Sequence, residues 1–100
     1  MDAVFAVLRS RGPAWDDAKP LEAQAGWDAH AAFMDALYDE GVAVLVGPLD
    51  GTRDALLILH AASAAEVEER LAADPWSASG HLKTTQITRW HLRLLSLIHI

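Results

Sequence analysis

Cysteine is absent from this chain of 100 residues. Disulfides, thiolate metal sites and a cysteine nucleophile are therefore excluded. Basic residues are few and scattered: eight Lys and Arg stand against fourteen Asp and Glu, for a formal charge of −6. Nucleic acid is a poor partner for such a chain, because its phosphates would be repelled. No apolar run is long enough to span a bilayer, and no charged segment followed by an apolar stretch and a cleavage site opens the sequence. The expectation is a soluble cytoplasmic protein without a membrane partner. Internal repeats, low-complexity linkers and a Gly-rich phosphate loop are also missing.

What the chain has is apolar content, 52% of its residues, in a length that suits one domain with its own core. Residues Ala3 to Leu8 read as a first strand, apolar on both faces. Pro20 suits the first turn of a helix running to about Glu40, with Gly41 as a left-handed stop. Gly26 weakens the N-terminal half of that helix, so its start can slip by a turn. Val42 to Val46 form a second strand closed by Gly47-Pro48. Asp50-Gly51 is a hairpin signal leading to a third strand, Ala55 to His60, antiparallel to the second. Ser63 and Glu66 make a capping box for a helix that turns Val67 and Leu71 inward and Glu68 and Glu69 outward. Pro75 ends it near Ala73. His81 to Leu92 form a fourth strand. Alternation puts Leu82, Thr84, Gln86, Thr88 and Trp90 on one side and His81, Lys83, Thr85, Ile87 and Arg89 on the other.

The order β-α-β-β-α-β predicts an α+β, ferredoxin-like fold: a four-stranded antiparallel sheet with two helices on one face. Two helices leave the other face open, yet strands one to three are apolar on both. An exposed patch of several hundred Å² is rare on a monomer. The simplest solution is a homodimer packed sheet to sheet about a twofold axis.

One residue on the first helix stands out. At about 100° per residue, Trp27, His30, Ala31, Met34, Leu37 and Tyr38 share a face, with Asp28, Asp35 and Asp39 opposite. An imidazole inside an apolar stripe needs a partner. Asp74, freed from the second helix by Pro75, is a candidate, flanked by Trp76 as His30 is by Trp27. Helices lying side by side on the sheet would let Asp74 reach His30 in a cavity lined by indole rings. A carboxylate on one imidazole nitrogen fixes the tautomer, and the other nitrogen faces a substrate. Proton abstraction beside a carbonyl, isomerisation or elimination then needs no nucleophile and no cofactor. The alternatives are a satisfied core histidine, Asp74 as a turn or capping residue before proline, and tryptophans that serve as core or dimer contacts. His60, His81, His91 and His99 have no compact ligand spacing, so no metal site is expected.

Taken together, Phe5-Ala6-Val7-Leu8-Arg9, His30, Gly47-Pro48-Leu49, Leu57-Ile58-Leu59, Ser63 with Glu66, Asp74-Pro75-Trp76 and Ile87-Thr88-Arg89-Trp90 resemble the YciI-like (YCII-related) family of the dimeric α+β barrel superfamily. The resemblance runs from the first strand through Trp90. It implies a ferredoxin-like protomer, a dimer through the sheets, and an active site built on a His-Asp pair, here His30 and Asp74. The expected function is a small cofactor-independent enzyme of isomerase or lyase type. His30 would be its general acid/base and Asp74 the orienter, with Arg9, Trp27 and Trp76 binding a small aromatic or anionic molecule. The alternative is a non-catalytic small-molecule-binding or accessory dimeric module. Residues 1–91 are expected to form the domain. Residues 92–100 are an apolar extension that either packs in the dimer or is non-native read-through.

Overall fold

Alternation along β1 (Ala3–Arg11) organises the molecule. Phe5, Val7 and Arg9 are buried, while Val4, Ala6, Leu8 and Ser10 between them are half-buried. The computed structural model describes residues 2–93. After β1 come α1 (Trp27–Asp39), β2 (Ala43–Pro48), β3 (Asp54–Ala61), α2 (Ala64–Ala72), α3 (Pro75–Ser79) and β4 (Leu82–Arg89). The strands form one antiparallel sheet in the order β2-β3-β1-β4. This is the ferredoxin-like arrangement expected from the element order.

Cα partners share a face of the sheet, so Phe5 opposite Leu59 and Val7 opposite Leu57 extend the buried row from β1 into β3. Leu37 of α1 and Val67 and Leu71 of α2 pack on that row. Burying a side chain such as Leu71 contributes about 1.5–3 kcal/mol. The opposite face carries Val4, Ala6 and Leu8, paired with His60, Ile58 and Leu56.

Local signals set the helix limits. Residues Leu21–Ala23 form only a turn of 3-10 helix, and α1 begins after Gly26. Gly26 has φ +80°, and an added Cβ would lie 3.1 Å from Trp76 Nε1, so both conformation and space call for glycine there. The predicted start at Pro20 thus moves to Trp27. At the other end Gly41 has φ +77° and stops the helix as expected. At α2 the Ser63 hydroxyl accepts from Glu66 N–H at 3.1 Å, and Glu66 Oε1 accepts from Ala62 N–H at 2.9 Å. The returning carboxylate therefore reaches one residue beyond the usual capping-box target.

Expectations at Tyr38 and along β4 are also corrected. Tyr38 does not join the inward face of α1 but is 67% exposed. It sits beside β2, the edge strand, where no further described element covers it. Strict alternation along β4 also fails. Leu8 pairs with Gln86 but Arg9 pairs with Thr84, so Thr85 is an extra residue. That bulge shifts the face from one half of the strand to the other. Leu82 and Thr84 consequently share a face with Ile87 and Arg89, all opposite the inward row of β1. The predicted strand from His81 to Leu92 shortens to Leu82–Arg89. The 92–100 extension lies outside the described residues beyond Arg93. Among the described residues no helix is long and apolar enough to cross a membrane.

Candidate active site

Pro75 does two jobs. It ends α2, and it opens the short α3, for which its fixed φ and missing N–H suit the first position. Asp74 is the N-cap: its Oδ1 accepts from the Trp76 N–H at 2.9 Å. The cap holds the carboxylate still, fully buried, facing both α1 and β1.

From α1, His30 Nδ1 lies 3.0 Å from Asp74 Oδ1 and 2.9 Å from Oδ2. An ionised carboxylate only accepts, so Nδ1 carries the proton and donates. In the neutral ring Nε2 is then the basic nitrogen. From β1, Arg9 Nη1 donates to Asp74 Oδ2 at 2.7 Å. The second terminal nitrogen of Arg9 donates to the Ser77 hydroxyl, which in turn donates to the Leu71 carbonyl at 2.7 Å. Asp74 thus binds groups from β1, α1 and α3 at once. Burial alone would raise its pKa. The hydrogen bonds from His30, the Trp76 amide and Arg9 outweigh burial and hold the carboxyl below its ordinary 3.8. Arg9 Nε is the one buried side-chain nitrogen or oxygen without a partner among the described residues.

Aromatic rings fix the imidazole. His30 stacks on Trp76 with centroids 4.0 Å apart and planes 9° from parallel. Trp76 is anchored by its own Nε1–H, which donates to the Ala25 carbonyl at 2.8 Å. Trp27 tilts against both rings at 5.9 Å, and Trp15 meets Trp76 edge-on at 5.5 Å. His81 stacks on Trp76 at 5.3 Å and shares a 2.7 Å hydrogen bond with the Ser79 hydroxyl.

His30 lies on the wall of a cavity of about 420 Å³ between α1 and the sheet. That volume is in the range of small-molecule sites. Trp15, Trp27 and Trp76 form aromatic wall, Met34 and Leu57 aliphatic wall, and Arg9, Arg11 and Arg53 bring positive charge. Among the described residues no group of three His, Asp or Glu side chains is placed to hold a metal ion.

All five residues singled out in the sequence therefore line the cavity or bond to a residue that does. His30 and Asp74 meet directly. Trp27 and Trp76 flank the imidazole. Arg9 lines the cavity too, but its terminal nitrogens are held by Asp74 and Ser77. The sequence pattern does not single out Ser77, Arg11 or Arg53, and the Trp15-Asp16-Asp17 connection is not diagnostic of a cavity wall. Arg11 had a signal, since it lies two residues beyond Arg9 on the same strand face. Ser77 had none, because its position depends on a five-residue helix.

A ferredoxin-like α+β chain with a buried Arg-Asp-His network beside a cavity is the class these features define. The chain belongs to the YCII-related domain family, whose match covers residues 5–91. No curated protein and no solved structure matches it.

Proposed function

We propose that this protein is a small acid/base enzyme in which His30 moves a proton on a small bound molecule. The observation that carries this role is the pairing of His30 Nδ1 with Asp74 at 2.9 and 3.0 Å in the cavity wall. With Nδ1 donating, Nε2 is the nitrogen left to act as base. Asp74 and Arg9 are positioning residues: the first orients the ring, the second holds the first. The aromatic walls suit a flat, partly apolar molecule, and isomerisation or elimination is the reaction class that one poised base can serve without a cofactor.

The test is proton exchange. Small carbonyl acids incubated with the protein in D2O are expected to gain deuterium at the carbon beside the carbonyl. The His30→Asn variant is expected to lose that exchange while still binding the compounds. Exchange that survives in His30→Asn overturns the role. So does the absence of exchange for every compound that binds.

A second reading is favoured by one contact. Arg9 already neutralises Asp74, so the network is complete as a structural unit without any reaction. On this reading the protein is a binding or accessory module. Ligand binding without exchange would then be the whole of its activity.

The assembly is part of the same proposal. Val4, Ala6, Leu8, Leu56 and Ile58 share the face turned away from the helices, and edge residue Leu45, paired with Ile58, is 68% exposed. A second copy packed face to face would cover this apolar surface. Sedimentation at micromolar concentration is expected to give a dimer; a stable monomer would falsify the arrangement.

A further inference from the structure

Three arginines line the cavity beside His30, and two of them are held. Arg9 is bound by Asp74 and Ser77. Arg53 is bound by Asp17 at 2.7 Å, with both side chains largely exposed. Arg11 differs. It is half-buried, its guanidinium lies over the Trp15 ring at 4.6 Å, and it has no ion-pair partner among the described residues. Stacking on an indole orients the flat guanidinium while leaving its in-plane donors available, and two parallel N–H groups match a carboxylate.

We infer that Arg11 anchors the carboxylate of a small, flat monoacid. The apolar body of that acid lies along the tryptophan walls and places its reacting carbon toward His30. The last clause rests on the acid/base role proposed above; the anchor itself does not. Charge sets the limit of one. Asp35, exposed on α1, also lines the cavity, so a second negative charge on the ligand would meet repulsion. The aromatic walls favour an organic acid over an inorganic anion.

Benzoate is the probe, followed by calorimetry or by amide shifts in NMR, with benzamide as the uncharged molecule of the same shape. Benzoate is expected to bind, and benzamide about tenfold or more weakly. Arg11→Gln is expected to weaken benzoate about tenfold and to leave benzamide unchanged. Arg11→Lys, which keeps the charge but loses the two-pronged donor, is expected to fall between. His30→Asn is expected to retain benzoate affinity within about threefold. The inference is overturned if benzoate does not bind or if it binds Arg11→Gln as tightly as the parent. It also fails if inorganic phosphate displaces benzoate at equal concentration. Benzoate binding that depends on Arg11, with no deuterium exchange in any acid, would sink the acid/base role and leave the anchor standing.

Discussion

On the helix-covered face of the sheet, Phe5, Val7, Leu57 and Leu59 are each at most 4% exposed, and the same layer holds a buried arginine, an aspartate and a histidine. The opposite face has no described helix over it and leaves Val4, Ala6, Leu8 and Leu56 half-buried, and the β2 edge is apolar yet open: Val44, Leu45 and Val46 are 42–68% exposed. The covered side tolerates charge because nearly every polar atom there has a partner. The open side is apolar across β1 and β3 and polar along β4, where Thr88 and Gln86 pair with Ala6 and Leu8. The first is a place where removing a partner should be costly. The second is a place where adding charge should disturb association more than folding.

The largest effect is expected from Asp74→Ala. It strands the Arg9 guanidinium in the interior and removes the cap of α3, for a loss of about 3–5 kcal/mol. Urea unfolding measures this, and an unchanged midpoint would erase the contrast between the faces. The pH dependence follows from the same carboxylate. Its pKa is lowered on folding, so its contribution is fully present above the ordinary value of 3.8 and is lost as pH falls through the lower folded value. Acid titration of the parent should show this loss below about pH 4, and Asp74→Ala should lack that component.

Next comes Leu71→Ala, which empties part of the layer between α2 and the sheet. It should cost about 2–5 kcal/mol in the same assay. On the open side, Leu45→Asp should weaken self-association by about 2 kcal/mol, seen as a shift toward monomer in sedimentation equilibrium. The dissociated chain should unfold within about 0.5 kcal/mol of the parent. A large loss of monomer stability instead would mean that β2 depends on Leu45 for its own packing. The smallest effect is expected from Ser63→Ala. Loss of the α2 cap should lower the unfolding free energy by about 1 kcal/mol.

Much of this architecture was legible from short-range signals. Gly41 stopped α1 because only its left-handed backbone was needed. Ser63 marked the start of α2, and Pro75 marked its end. Helical periodicity turned His30 inward. The misses share a physical cause. Thr85 becomes a bulge because β4 must keep register with both halves of β1, and nothing within β4 states that demand. Tyr38 falls beside the sheet edge, a position that periodicity alone does not distinguish from the centre. Helix α3 is five residues long, too short to show a period, so Ser77 could not be placed.

The sequence by itself determined the order and kind of the main elements, the inward side of α1 and the apolar character of β1 and β3 on both sheet faces. These depend on interactions within a turn or along a strand. Only the tertiary structure decided that Asp74 meets a histidine 44 residues away and an arginine 65 residues away. It alone also decided that Arg9 is held while Arg11 is left over its tryptophan. Such contacts depend on how elements pack against one another, and no local preference of the chain specifies which side chains will be within 3 Å when they do.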